Sequence, residues 1–257
     1  MAPVARSSPA GSSGTRSAVP VAVAALVAFL LVLLAQFPAR WAALALPREV
    51  KCELMAGTLW RGSCSALSVR GRPFGDLTWQ LHPLALLGAA LSADFSLAQG
   101  ALEAKGSVQL RLSGHLTAHD LRVRMPLDPS LIAQLPPGTH ASAQADLALL
   151  TVEHGRVIAV SGQIEVRGVP FDPGLPPEDY RLTFPPNAQG DPVGQIQDLG
   201  GPLELQGTLR LTPEPGYVLD ARVAARPGSP PALAKQLQFL GPPDAQGRRT
   251  LSVSGTY

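Results

Sequence analysis

The pattern of hydrophobic and polar positions changes once along the chain, near residue 40. Ahead of that point residues 17–39 carry no charge, and their centre, Val21 to Ala35, reads VAVAALVAFLLVLLA. At 1.5 Å per residue a helix over 17–39 reaches across the ~30 Å hydrocarbon layer of a bilayer, which predicts a transmembrane helix there. Behind it the period becomes two. In Leu203-Glu204-Leu205-Gln206-Gly207-Thr208-Leu209-Arg210-Leu211 one face holds only Leu and Gly, and Tyr217 to Val223 alternates again. Thr212-Pro213-Glu214-Pro215-Gly216 between them has turn chemistry, so the segment predicts a β-hairpin. Stretches 108–112, 163–167 and 251–257 alternate likewise, and Glu153-His154-Gly155-Arg156 predicts a further turn. The expected architecture is mainly β: a single-span N-terminal helix, then one antiparallel, meander-like sheet domain over 46–257, apolar on one face and polar on the other.

One or two short helices are expected in that body. Pro129 to Gln134 offers about one turn before Pro136, and Pro231 to Gly241 is better marked. It has Pro near its start, Leu233, Leu237 and Leu240 on one face, and Gly241 just past its end, so it should lid an edge or face of the sheet. The Pro-rich region 169–192 is expected to be a long loop or peripheral arm rather than central strand. A glycine recurs inside the alternating stretches, at Gly106, Gly162, Gly207 and Gly255, at unequal spacings that suit bulges or kinks in a meander.

Composition narrows the function classes. Gly 25 and Pro 26 among 257 residues disfavour a helical bundle. The net charge of +2 comes from the front, where residues 1–40 hold Arg6, Arg16 and Arg40 and no acid. The remainder is nearly neutral and lacks the basic stripe that nucleic-acid binding requires. Residues 1–16, rich in Ser, Gly and Pro, read as a disordered tail, and their arginines predict a cytoplasmic N-terminus with the β domain in the periplasm. Two alternatives stand beside the anchor: a cleaved signal peptide, since Ala43-Leu44-Ala45 has a peptidase-compatible pattern, and a buried core helix.

Cys52 and Cys64 lie twelve apart around Gly57 and Gly62 in a strand-turn-strand pattern. In an oxidising compartment a disulfide is the expected use, ahead of a metal pair or a redox pair. Val50, Cys52 and Leu54 share one strand parity, whereas Cys64 opposes Leu67, so the bridge requires a bulge near Gly62 to Ser65 or a place at a strand end. Catalytic chemistry finds no support. His115 and His119 are about 13 Å apart if they share a strand, and His82, His140 and His154 have no Cys, Asp or Glu at ligand spacing. Nucleophile elbows and phosphate loops are missing, and Glu178-Asp179 reads as a solvated pair in the Pro-rich loop. No catalytic residue, metal or cofactor is expected.

What stands out is a constellation around tryptophan: Gly57-Thr58-Leu59-Trp60-Arg61-Gly62, then Thr78-Trp79-Gln80-Leu81-His82-Pro83-Leu84-Ala85-Leu86-Leu87. Read from the residues, Trp60 and Trp79 fill one end of the sheet while the glycines permit a tight turn. Taken in order with the apolar span before it, and with Leu240-Gly241-Pro242-Pro243-Asp244 and a closing strand after it, the chain resembles the protein N family of the bacterial type II (general) secretion pathway. Cysteines flanking the tryptophan turn are also similar to some members. The resemblance implies a non-enzymatic inner-membrane accessory subunit in the export of folded proteins, with other inner-membrane secretion subunits and the membrane as partners. The main competitor is a membrane-anchored β-groove protein of the AsmA-like kind, for which lipid is the partner. A sheet whose apolar face stays open favours the groove.

Overall fold

Strands that alternate apolar and polar satisfy their backbone by pairing edge to edge and so gather their apolar side chains on one face, and the computed structural model, which describes residues 18–42, 47, 49–100, 102–127, 140–170, 176–186, 191–214 and 216–256, arranges them so. Helices α1 (Ala18–Ala35) and α2 (Ala39–Ala42) precede β1 (Val50–Lys51), β2 (Leu54–Gly57), β3 (Arg61–Val69), β4 (Arg72–Leu81), β5 (Ala90–Gln99), β6 (Leu102–Arg111) and β7 (His115–Leu127). Next come β8 (Ala141–Glu153), β9 (Arg156–Val169), β10 (Glu178–Phe184), β11 (Val193–Asp198), β12 (Leu203–Thr212) and β13 (Gly216–Ala225). Helix α3 (Pro231–Leu237) and β14 (Arg249–Gly255) close the chain. From β3 onward every strand lies antiparallel beside its sequence neighbours, while β1 and β2 share the outer side of β3. Among the described residues β14 pairs with β13 alone, so the meander is an open sheet with two free ends rather than a barrel.

Register makes the two faces continuous. Cys64, Leu77, Leu97, Ala104, Val123, Ala145, Ile164, Leu182, Ile196, Gly207, Ala221 and Leu251 are successive cross-strand partners from β3 to β14. The adjoining row, Thr78, Ser96, Lys105, Arg122, Asp146, Gln163, Thr183, Gln195, Thr208, Asp220 and Ser252, is polar throughout. A one-residue slip anywhere would exchange these rows, which is why the alternation specifies register. Where the alternation breaks, a bulge restores it. The β6–β7 ladder shifts at Gly106 opposite Asp120, which takes φ 49°, so Leu121 and Ala118 share the apolar face although they are three apart.

The recurring glycines lie on this apolar face, in register with large neighbours: Phe95 opposes Gly106, Phe184 opposes Gly162 and Tyr217 opposes Gly255. The core is local. One cluster joins Leu147, Val160 and Phe184; the other joins Leu203, Leu205, Ala221 and Val223 with Leu233 and Leu237 of α3. Among the described residues α3 is the one helix in either cluster, so the apolar row over β4–β8 carries no described second layer.

Several expectations need correction. The Pro-rich region 169–192 is not merely a loop: β10 runs through it as an interior strand between β9 and β11. Its seven residues contain no proline; Pro176 and Pro177 end just before it and Pro185 and Pro186 follow it, so no ladder bond is lost. Leu240 does not join Leu233 and Leu237. After Leu237 the chain tightens into a 3-10 turn, Gln238–Leu240, whose three-residue period swings Leu240 and the 90%-exposed Phe239 outward. A 3-10 helix at Pro83–Gly88 also lies beyond the helices expected. Residues 1–17 and the turn at 129–134 lie outside the described residues. Helix α1 spans 18 residues, about 27 Å at 1.5 Å each. Among the described residues no helix is long and apolar enough to cross a membrane.

Candidate functional site at the tryptophan turn

Gly57 through Gly62 forms the tight connection between β2 and β3. Gly57 takes φ +88°, and a Cβ there would stand 2.5 Å from the Arg61 carbonyl oxygen, so only glycine fits. Thr58 closes the turn: its N–H donates to the Arg61 carbonyl at 2.9 Å, and its Oγ1 accepts from the Arg61 N–H at 3.2 Å. Gly62 supplies a floor for the Trp79 ring, because a Cβ at 62 would lie 2.4 Å from Trp79 Cζ2. Packed against that glycine, Trp79 donates its indole N–H to the Leu59 carbonyl at 3.0 Å. Both tryptophans are half-buried, and each indole N–H is used.

The turn faces the end of α1. Trp60 Nε1–H donates to the Leu34 carbonyl at 2.7 Å, the Leu59 N–H donates to the Phe37 carbonyl at 2.8 Å, and Pro38 bridges to Thr58. A helix C-terminus leaves its last carbonyls without intrahelical partners. Here the turn supplies donors to the end of the apolar helix and the residues just past it. Two such bonds contribute on the order of 1–3 kcal/mol net. Ala39 is 1% exposed in the junction, and the rings of Phe37 and Trp41 stand 6.4 Å apart beside it. Beyond the junction α1 touches little: its described large side chains between Val21 and Leu34 are 49–67% exposed.

Cys52 and Cys64 are joined, with Cα atoms 5.7 Å apart. Cys52 sits in the break between β1 and β2. On β3 the register shifts between Cys64 and Leu67, where Ala66 takes φ 52°, so a bulge separates the two conflicting parities. Pro83 opens the 3-10 helix at the same strand end as the turn, whereas Gly241, with φ +95°, ends the helical segment after α3 far along the sheet and does not join the site.

A polar knot at the opposite strand ends was missed from sequence. Glu178, only 2% exposed, accepts the Leu203 N–H at 3.0 Å through Oε1, while Oε2 is buried against Gly201 without a partner among the described residues. It is thus the reverse of a solvated loop carboxylate. Burial pushes its carboxyl above the ordinary range, against the Leu203 bond and with help from the Asp198 charge. Asp198 goes the other way: burial favours its neutral form, but the Leu205 and Gly200 N–H groups and the paired Arg226 guanidinium outweigh it and hold the carboxyl low. The hydroxyl of half-buried Tyr180 is pushed up to about 12 by its loss of solvent and by the Glu178 and Asp198 charges. No sequence signal marked the knot, because Glu178, Asp198 and Arg226 come from three separate segments.

The histidines are spread across the sheet. His82 pairs with Asp94 at 2.8 Å and His115 with Glu153 at 3.3 Å, both partners coming from neighbouring strands, while His119, His140 and His154 are exposed. Among the described residues no group of three or more His, Cys, Asp or Glu could hold a metal ion.

A tryptophan turn receiving an apolar helix, a cystine beside it and a one-face-apolar meander behind it form one ordered arrangement, and the family model for "Type II secretion system (T2SS), protein N" matches residues 48–252. The chain belongs to the type II secretion system protein N family. Type II secretion system protein N of Vibrio cholerae serotype O1 is 27% identical over 237 residues, covering 82% of this chain and 87% of that protein. Its counterpart in Aeromonas hydrophila is 26% identical over 264 residues, covering 91% and 97%. No solved structure matches the chain significantly. Protein N membership makes the chain a component of the secretion machinery of Gram-negative bacteria.

Proposed function

We propose that this protein N is a non-enzymatic, membrane-anchored accessory subunit. Helix α1, within the uncharged stretch 17–39, is its single inner-membrane span, residues 1–16 are cytoplasmic, and the sheet stands in the periplasm against other secretion subunits. The observation that carries the reading is the junction of Trp60 and Leu59 with the Leu34 and Phe37 carbonyls, at the end of a helix whose side chains are otherwise unpacked. Such a helix is unfavourable in water and favourable in lipid, and a bilayer thins locally to match an apolar helix of about 27 Å. The paired cysteines are consistent with an oxidising periplasm. Protease added to spheroplasts should digest the β domain, and a mature protein beginning near Leu46 would refute the anchor.

A second reading is supported by the open apolar face over β4–β8: an AsmA-like groove that handles lipid. A photocrosslinking residue at Phe95, on that face, separates the two in cells. Capture of a secretion subunit supports the accessory role, and capture of lipid alone moves the groove ahead.

A further inference from the structure

Between β4 and β5 the sequence Pro83-Leu84-Ala85-Leu86-Leu87-Gly88 has no polar side chain, yet it is not core. The 3-10 helix it forms leaves Leu84 78%, Leu86 50% and Leu87 88% exposed. The next connection at the same strand end, between β6 and β7, carries Leu112 at 90% exposure, with Leu110 at 46% just before it. Leu112 N–H donates to the Ala89 carbonyl at 3.3 Å, so the two connections are tied into one apolar edge. That edge is continuous with the tryptophan turn, since Leu81 N–H donates to the Trp60 carbonyl at 2.7 Å. From β3 to β7 is four strand spacings, roughly 19 Å, so the exposed leucines stand close to where α1 meets the sheet.

Charge agrees with position. Residues 83–93 and 110–119 contain no acid, the carboxylates beside them at this strand end, Asp94 and Glu153, are paired with His82 and His115, and exposed Arg61 and Arg111 stand at the rim. Phe37 and Trp41, aromatic residues of the type that settles at the membrane interface, lie at the same junction. An apolar edge with a basic rim, beside the exit of an apolar helix, has the chemistry of a phospholipid surface with anionic headgroups. We propose that this strand end is a lipid-docking face. The leucine turns at 83–88 and 112 enter the interfacial layer of the bilayer that α1 crosses and hold the first strands of the sheet against the membrane. The proposal rests on the reading of α1 as an anchor.

The test uses the full chain with its disulfide oxidised and one added cysteine, labelled with a nitrobenzoxadiazole dye and reconstituted in phosphatidylethanolamine–phosphatidylglycerol vesicles. Leu87→Cys and Leu112→Cys probe the face, Ala98→Cys probes the other end of β5, and Leu26→Cys probes the middle of α1. Leu87 and Leu112 are nearly fully exposed, so labelling there leaves the core intact. Emission at 87 and 112 should shift to the blue and be quenched more by lipid with a headgroup-level nitroxide than by one with a deep nitroxide. At 26 the order should reverse, and at 98 neither lipid should quench. Adding Leu84→Glu and Leu87→Glu should abolish the shift at 112. Unquenched dye at 87 and 112 alongside deep quenching at 26 would overturn the lipid face and leave the anchor standing; so would a shift that required co-reconstituted secretion subunits. No quenching at 26 would overturn the anchor and the lipid face with it.

Discussion

Replacing Gly62 with Ala adds a single carbon at the point where the β3 backbone meets the Trp79 ring. That carbon would sit 2.4 Å from Cζ2, 2.9 Å from Cε2 and 2.9 Å from the Ala56 carbonyl oxygen, all inside van der Waals contact. The ring cannot slide freely, because its indole N–H is spent on the Leu59 carbonyl, and the Leu59 N–H in turn holds the Phe37 carbonyl at the end of α1. Overpacking of this kind costs about 1–3 kcal/mol, and losing the Trp79–Leu59 bond adds about 0.5–1.5 kcal/mol. Restricting the unfolded chain by Gly→Ala returns about 0.5–1 kcal/mol, leaving a net loss of about 0.5–4 kcal/mol. The assay is urea denaturation of the full chain in detergent, followed by far-ultraviolet circular dichroism. Gly62→Ala, Trp79→Leu and the double variant form a cycle in which the smaller side chain at 79 relieves the clash, so the double variant should lose less than the sum of the singles. A Gly62→Ala variant within about 0.5 kcal/mol of wild type, or strict additivity in the cycle, would refute the contact as the reason for glycine at 62.

Cys52→Ser or Cys64→Ser should lower the unfolding free energy by about 3 kcal/mol, the value for opening a loop of this length, and a reducing agent should reproduce the loss in wild type but not in the variants. Leu233→Ala removes the most buried side chain of α3 from its seat on β12 and β13, and a loss of about 2–5 kcal/mol in the same denaturation assay is expected. Glu178 provides a pH signature. Its carboxyl is raised in the folded state, so its contribution to stability is complete below the ordinary carboxylate range and is lost as pH rises through the raised value. Glu178→Gln should therefore flatten the decline in stability between acid and neutral pH, and an unchanged slope would contradict the burial of an unpartnered Oε2. Asp198 has the opposite sign: its contribution is present above the ordinary range and fades as pH falls through its lowered value, so Asp198→Asn should reduce stability most near neutral pH.

The strand pattern was legible in the sequence because a sheet with one apolar face requires period two. That requirement shows in Leu203 to Leu211 without reference to any other segment, and it carries the β12–β13 hairpin directly. The apolar helix and the tight turn around Gly57 and Gly62 were readable for the same reason, since each depends on residues close in the chain. Tertiary structure decided what local pattern leaves undetermined. The prolines of 169–192 hid β10, because a strand of seven proline-free residues is admitted to the sheet by its partners β9 and β11 rather than by its flanks. Glu178 looked solvated because its burial comes from Leu203 and Gly201, more than twenty residues away. The parity conflict at Cys64 was visible, but only the bulge at Ala66 resolves it. That Trp60 reaches the Leu34 carbonyl depends on the chain returning from β1 and β2 to the end of α1. The sequence by itself determined which residues could share a face; which strand edges, helix ends and carboxylates meet was decided by long-range pairing, whose partners no local period encodes.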